Sequence, residues 1–228
     1  MTRRSEARKR TAEKPSLSRD RVVRAAVGLA DQRGLEAVSM RNLARALRSK
    51  PMTLYFHVSN KDDLFSGIVD LIVGDFEFPG GEGDWRAEIR RSLVSAHRTL
   101  MRHPWACGLM LAATSSSARL RYTEALLKRL REAGFSALMT HRAYHILDSH
   151  LVGFTLWEAG YAARRDLGER ARAFVRTARA EYPYTVEHAE VHFSGAAQAS
   201  EFEIGLDLVL ESLERLRRKE SAERQRRT

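Results

Sequence analysis

The chain has 228 residues, 43% of them apolar, so it is long enough for one large or two smaller domains with a hydrophobic core. No run of about 18 uncharged apolar residues occurs, which excludes a transmembrane helix. The basic N-terminus lacks the apolar segment of a secretory signal. A single cysteine, Cys107, excludes an internal disulfide framework and favours a reducing, cytoplasmic setting.

The net charge of +10 is concentrated at one end of the chain. Residues 1–61 carry 15 basic and 5 acidic side chains, whereas residues 62–228 carry 24 of each. Because phosphate neutralisation drives affinity for nucleic acid, a positive excess confined to one segment indicates a polyanionic partner for that segment. The alternative is a solvated charged face behind a disordered tail.

The first predicted elements are a flexible basic arm at residues 1–17 and a helix from Ser18 to about Arg33, with Gly34 just after its last turn. The apolar residues of this helix recur at the spacing of one buried face. They are Val22, Val23, Ala26, Leu29 and Ala30.

Residues 39–64 carry the most informative local pattern in the chain. Ser39 is suited to cap one short helix, and Pro51 is suited to the first turn of a second, where its missing N–H is not needed. Ser59 or Asn60, followed by two aspartates, predicts the capped start of a third helix. Two short helices joined by a tight turn are the build of a helix-turn-helix, whose second helix enters the DNA major groove.

The side chains of the second short helix are expected to divide between core and surface. Leu54 and Val58 are predicted to lie in the core, whereas Phe56 is expected to face outward, with partial burial in the core as the alternative. The remaining residues of this helix are left facing outward, towards the proposed DNA partner.

The rest of the chain is predicted to be helical, without a strand. A helix from about Lys61 to Phe76 bridges to a glycine-rich break at 77–84, which predicts a domain boundary. Later helices are predicted at 84–102, at 105–113, from a cap at Ser115–Ser117 to Gly134, at 137–163, at 164–183 and at 201–219, with 184–199 unassigned. The predicted division is an arm (1–17), a helix-turn-helix domain (18–62), a helical regulatory and dimerisation domain (63–219) and a charged tail (220–228).

A longer string of residues resembles the DNA-binding domain of the TetR family of bacterial repressors. It comprises Gly34-Leu35, Val38-Ser39-Met40-Arg41, Leu43-Ala44, Leu47, Leu54-Tyr55-Phe56-His57-Val58, Asn60-Lys61 and Leu64. The remainder resembles, more loosely, the C-terminal domain of the tetracycline-repressor-like branch. That likeness rests on Trp85, His103-Pro104-Trp105, Gly134-Phe135, Gly153-Phe154 and the run from Phe202 to Leu206.

The resemblance implies an all-α, homodimeric, ligand-responsive repressor that binds a near-palindromic DNA operator and is released by a small molecule. Helices at about 137–163 and 201–219 are then expected to pair with their mates in a four-helix bundle. Ordinary core helices of a monomer are the alternative. A transcriptional activator of the same family, and an architectural DNA-binding protein without a ligand, are the rival functions. The large neutral second domain argues against the architectural protein.

The turn after the first short helix departs from the family pattern. Where the family has glycine and then an apolar residue, this chain has Arg48 and Ser49. Either Arg48 adopts a positive φ at a strain of about 1 kcal/mol, or the turn is rebuilt around Lys50-Pro51. Both alternatives retain the helix-turn-helix.

The residues expected to contact DNA follow from the resemblance and from base chemistry. They are Arg41, Lys50, Pro51, Met52, Thr53, Tyr55, Phe56, His57 and Lys61. Arg41 is expected to reach a guanine edge, and Met52 or Thr53 a thymine methyl group. Lys61, at the start of the next helix, is the expected phosphate contact.

A ligand pocket is expected in the second domain, among aromatic and sulfur-containing side chains that serve equally well as core. The candidates are His97, Met101, Trp105, Met110, Tyr122, His150, Phe154, Trp157 and Tyr161. No cofactor is predicted, and the identity of the effector is not encoded in any motif.

Neither a metal site nor an enzyme is predicted. His141, His145 and Asp148 share one helix face at metal-ligand spacing, but a straight helix face supplies three ligands only with strain. His145 can instead pair with Asp148 or face a partner subunit. Cys107 lies in an apolar helix, as an inert thiol does, and Ser115–Ser117 lacks the strand-turn-helix setting of a nucleophile elbow.

Overall fold

The computed structural model describes residues 17–81, 83–112, 116–162, 167–193 and 200–226. Within these ranges it contains eleven α-helices, one short 3-10 helix and no strand, which confirms the all-α prediction. Residues 1–16 of the predicted arm lie outside the described residues. The chain divides into two compact units, one ending at Lys61 and the other beginning at Asp62.

The helices are α1 (Arg19–Arg33), α2 (Met40–Ala46), α3 (Pro51–Leu54), α4 (Lys61–Gly74), α5 (Trp85–Arg102), α6 (Ala106–Ala112), α7 (Ser117–Glu132), α8 (Ala137–Ala162), α9 (Leu167–Ala178), α10 (Pro183–Phe193) and α11 (Glu201–Gln225). The 3-10 helix (Leu35–Ala37) joins α1 to α2. The glycine-rich break, predicted to be a domain boundary, lies inside the second compact unit rather than at its start. The segment left unassigned in the sequence begins within α10.

The helix starts in the first unit are set by local capping. Ser18 and Ser39 each accept a hydrogen bond at 3.2 Å from the backbone N–H three residues on. Pro51 opens α3 as predicted. Leu54 and Val58 are fully buried, which confirms their core role. Phe56 is 86% exposed, so it faces outward and the alternative of partial burial is wrong.

The end of α2 adopts a Schellman motif with arginine at the position that favours glycine. The Ser49 N–H donates to the Ala44 carbonyl at 2.8 Å, and the Arg48 N–H donates to the Arg45 carbonyl at 3.2 Å. Arg48 has a φ of +50°. Of the two expected geometries, the turn therefore keeps the positive φ and accepts the strain. At the end of α7, by contrast, Gly134 occupies the same kind of position with a φ of +92°.

Replacing Arg48 by Gly should raise the free energy of unfolding by about 1 kcal/mol, because glycine adopts a positive φ without a Cβ clash. Denaturant unfolding of the full chain measures this. The matched control is Arg48→Ala, which removes the same charge but keeps the Cβ. If the Gly and Ala variants were equally stable, the turn would not be strained.

Helix α8 lies at the centre of the second unit and packs against α5, α7 and α11. Gly205 lets α11 approach α8 closely, because a Cβ at this position would sit 2.7 Å from Cε1 of His150. Helices α9 and α10 pack against each other, with Val186 fully buried between them.

Helix α11 continues well past its predicted end and into the segment predicted to be a charged tail. Glu220 accounts for this, because its carboxylate accepts a hydrogen bond at 3.5 Å from the Ser136 N–H, next to the start of α8. It also pairs with Arg224 one turn later, at 3.1 Å. A tertiary contact therefore stabilises a helix end whose charge pattern indicated a solvated tail.

Helix α4 is tied to the start of α7 by a carboxylate. Asp70 accepts hydrogen bonds at 2.8 Å from both the Ser116 hydroxyl and the Ala118 N–H. Ser116 itself caps α7 by accepting from the Arg119 N–H at 3.1 Å. A negative charge at a helix N-terminus is stabilising, so Asp70 supports α7 from a neighbouring helix.

A buried ion pair joins α5 to α7. The Arg129 Nε donates to Glu88 Oε2 at 2.7 Å, and their side chains are 10% and 3% exposed. The other Glu88 oxygen accepts from the Gly83 N–H at 3.0 Å, so the backbone before α5 is held in the same network. No helix among the described residues is long and apolar enough to cross a membrane.

Candidate DNA-binding surface and regulatory core

The predicted DNA-contacting side chains lie mainly on the surface of the first unit and at the start of α4. Leu54 and Val58 point into the core and hold the short α3 in place, so the residues between them project outward. Met52 is 72% exposed, Phe56 86% and Tyr55 46%. The remaining candidates are exposed (Arg41, Lys50, Pro51, Lys61) or half-buried (Thr53, His57).

The charge of this surface favours a polyanion. From Arg41 to Lys61 the chain carries five basic side chains and no acidic one. Arginine and lysine in such a segment neutralise phosphates, while an exposed helix presents side chains to base edges in a groove. A short exposed helix with this charge can therefore both position a protein on DNA and read sequence.

Four of the predicted ligand residues meet in the second unit, around Phe202, which was not among the ligand candidates. The ring of Phe202 on α11 stacks on His97 of α5, with ring centroids 3.9 Å apart and planes within 5°. His150 of α8 lies on Phe202 at 4.8 Å and donates from Nε2 to the Phe202 carbonyl at 3.0 Å. Phe154 contacts the same ring, and Trp157 contacts Phe154. We call these five residues the aromatic junction.

His97 is the most buried titratable group of the junction, at 6% exposure. Its Nδ1 lies 2.9 Å from Thr155 Oγ1, and its Nε2 lies 3.2 Å from Glu158 Oε2. Burial lowers the pKa of His97, and the opposing charge and hydrogen bond of Glu158 only partly compensate. Thr155 and Glu158 were missed by the sequence reasoning, and no local signal pairs them with a histidine on another helix.

Tyr122 stands apart from the junction. Its hydroxyl forms a 3.0 Å hydrogen bond with Ser92 of α5, and its ring meets the edges of Phe76 and Phe78, each at 5.2 Å. Burial raises the pKa of its phenol, so it is neutral at physiological pH. The sequence grouped Tyr122 with the ligand candidates of the aromatic junction, but in the structure Tyr122 lies apart from them.

The remaining ligand candidates are dispersed. Met110 is buried, and Met101 and Trp105 are half-buried. The side chain of Tyr161 lies outside the described part of the chain. Two described cavities of about 470 and 450 Å³ open elsewhere, one along α5 and one between α7 and α8, and none of the nine candidates lines either.

The three residues with metal-ligand spacing do not converge. The rings of His141 and His145 meet edge to face with centroids 4.5 Å apart, but the Asp148 carboxylate lies beside Arg119, at 4.0 Å. Burial raises the pKa of Asp148, and the Arg119 charge opposes that shift. In the described ranges, no three histidine, cysteine or acidic side chains are placed to hold a metal ion.

Cys107 has the character of a structural thiol. It is fully buried in α6, and burial raises its pKa to about 11. A thiol rather than a thiolate is therefore present at neutral pH, which is the wrong form for a nucleophile.

An all-α chain with an exposed, basic two-helix reading surface and a larger helical second unit is a helix-turn-helix transcriptional regulator. Residues 22–68 match the family profile "Bacterial regulatory proteins, tetR family", and residues 79–217 match "Tetracyclin repressor-like, C-terminal domain". The chain belongs to the TetR family of bacterial regulatory proteins.

Individual relatives agree with this assignment. An HTH-type transcriptional regulator of Saccharopolyspora erythraea is 33% identical over 182 residues, which cover 77% of this chain and 76% of the relative. The tetracycline repressor protein class C of Escherichia coli is 26% identical, covering 88% and 92%. The crystal structure of a possible TetR family regulator from Streptomyces coelicolor superposes with a TM-score of 0.72 at 26% identity, covering 87% and 100%.

Proposed function

We propose that this chain is a homodimeric repressor of a near-palindromic DNA operator, released by a small molecule bound in the second unit. The observation that carries the proposal is the outward face of α3, with its exposed apolar side chains beside a run of basic residues. The named repressor function of its tetracycline-repressor relative supports the direction of control. Because its operator lies on bacterial DNA, we place the protein in the cytoplasm, and no catalytic step is part of this role.

Two copies of the helix-turn-helix, which we call reading heads, are required because one short helix contacts only a few base pairs. Linking two copies raises the effective concentration of the second head once the first is bound. Heads on one face of B-DNA must then be separated by about 34–36 Å or a multiple of it. In this proposal Arg41 and Thr53 read base edges, and Lys61 holds a phosphate.

Apolar side chains left exposed along α8 and α11 support dimerisation through these two helices. Such side chains in one chain mark an interaction surface when they run along contiguous helix faces. They are Leu138, Ile146, Leu156 and Trp157 on α8, and Ile204, Leu208 and Leu216 on α11. We infer that these residues pack against their mates in a four-helix bundle.

The aromatic junction supports a ligand-responsive role for the second unit. It joins α5 and α8 to α11, so a molecule that inserts among its rings must move helices of the dimerisation surface. A ligand that binds one arrangement more tightly than the other shifts the population and lowers operator affinity by that difference.

Selection of bound duplexes from a random DNA pool tests the proposed function. The expected product is a palindromic consensus with two half-sites, since a two-fold dimer presents two identical heads. A pool without enrichment would contradict sequence-specific regulation. A single unrepeated half-site would contradict the proposal that the protein binds DNA as a dimer.

Substitutions in the reading surface should separate specificity from affinity. Arg41→Ala and Thr53→Ala should each lower affinity for the selected operator by about 1–3 kcal/mol and relax the choice at one base pair. Lys61→Ala should weaken all DNA equally and reduce the salt slope by about 1. Titrations at several salt concentrations measure both quantities.

The charge-matched control for these titrations is Arg121→Ala on α7 of the second unit, which should leave both quantities unchanged. A change in sequence preference from Lys61→Ala, with the salt slope retained, would refute the roles assigned to these residues.

A further inference from the structure

The contacts of His97 require more protons than a neutral imidazole and a carboxylate contain. The Thr155 hydroxyl lies 2.6 Å from the Leu151 carbonyl, which can only accept, so the single hydroxyl proton is used there. The Thr155 oxygen must then accept from His97, and Nδ1 carries the proton of the 2.9 Å contact.

The second ring nitrogen is left facing an acceptor. In neutral His97 with a proton on Nδ1, Nε2 has a lone pair, yet it lies 3.2 Å from Glu158 Oε2. An ionised carboxylate is also acceptor-only. The contact is therefore satisfied only when one additional proton sits between these atoms, on the imidazole or on the carboxyl group.

We propose that His97 and Glu158 form a proton-operated clasp between α5 and α8, closed when the pair holds one proton and open when it holds none. The proton is exchanged with water, which reaches Glu158 because its side chain is 42% exposed. On deprotonation the lone pair and the carboxylate repel, and Glu158 turns to solvent. No bond between heavy atoms forms or breaks in this step, and the only group transferred is a proton, which passes to water.

Neighbouring charges and burial around His97 set the pH range in which the clasp is closed. His150 of α8 opposes a positive charge on His97, while Glu158 of α8 and Glu203 of α11 favour it. Glu203 is itself paired on α5, with Arg90 at 2.8 Å and Arg98 at 3.6 Å, so much of its charge is already balanced. Burial is the largest influence and lowers the pKa of His97 below its ordinary value of 6.5. The clasp is therefore open at neutral pH and closes as the pH falls below 6.5.

The position of the clasp gives it a regulatory meaning. The ring of Phe202 on α11 stacks on the imidazole of His97, and Glu158 on α8 contacts the same imidazole. Helices α8 and α11 form the proposed dimer surface, so the proton acts as an effector of the repressor. This consequence rests on the proposed function. The clasp itself does not depend on DNA binding.

Hydrogen exchange of the full chain without DNA tests the clasp. After correction for intrinsic exchange rates, amides at 151–160 should be about fivefold more protected at about pH 5.5 than at about pH 8, the factor that corresponds to one net hydrogen bond. This readout is independent of operator binding, so its failure is distinguishable from failure of the proposed function.

Two substitutions of Glu158 should fix the clasp in opposite states. In Glu158→Gln the side-chain amide can donate to the Nε2 lone pair of neutral His97, so protection should be high at both pH values. In Glu158→Ala the protection of the same amides should be low at both pH values. Glu124→Gln, on the exposed side of α7, is the matched control and should follow the parent protein. Equal protection of the parent at the two pH values, or a Glu158→Gln variant that still responds to pH, would overturn the proposal.

Discussion

Replacing Leu208 by Asp should convert the protein from a dimer to a monomer and lower its operator affinity by more than about a hundredfold. Leu208 is 62% exposed on α11, one turn after Ile204, which is 51% exposed. In a two-fold interface each substitution appears twice, so two carboxylates would be buried without partners. The loss in affinity follows because two unlinked heads bind DNA independently. Sedimentation at micromolar concentration and operator titration measure the two effects.

The control for this substitution is Leu120→Asp on α7. Leu120 is also 62% exposed, so the same change is made in the same kind of side chain at the same exposure. This variant should remain dimeric with unchanged operator affinity. A dimer that persisted in Leu208→Asp, or an equal loss in Leu120→Asp, would show that α11 does not form the interface.

Replacing Arg129 by Met should lower the free energy of unfolding by about 3–5 kcal/mol. The substitution removes the cationic partner that the described residues give Glu88 and leaves a carboxylate that is 3% exposed. A buried charge without its partner is costly, whereas removal of both charges is nearly neutral. The double variant Glu88→Gln/Arg129→Met should therefore recover most of the loss, since glutamine can still accept from the Gly83 N–H. Denaturant unfolding measures each variant.

An exposed ion pair supplies the comparison for Arg129. Arg91 and Glu77 lie 3.4 Å apart with side chains 56% and 58% exposed. Arg91→Met should change stability by no more than about 1 kcal/mol, because water solvates the remaining carboxylate. Equal losses from Arg91→Met and Arg129→Met would mean that burial does not determine the strength of the Glu88–Arg129 pair.

Local signals were sufficient to predict most helix starts. Ser18, Ser39 and Asp84 cap the helices that follow them, and Pro51 opens α3. Each of these effects acts within one turn of chain, so the sequence contains all that is needed. Phe56 was left with two alternatives, outward or partly buried, because an aromatic residue beside core positions has no local marker of exposure.

Elements stabilised by distant partners could not be predicted in the same way. Helix α11 extends into its charged end because Glu220 reaches Ser136, and α10 forms in a segment whose pattern was ambiguous. Phe202 was noted only within the run that carries the family resemblance, and its stacking on His97 and His150 depends on the packing of three helices. Pairings of this kind follow from packing rather than from local sequence.

The amino-acid sequence by itself determined the helical class, the positive reading segment and the membership of a regulator family, because periodicity, caps and charge act over a few residues. Only the tertiary structure decided that Arg48 keeps a positive φ, that Asp148 lies beside Arg119, and that His97 faces Glu158. The physical reason is that such contacts join helices far apart in the chain, so they exist only after those helices have packed.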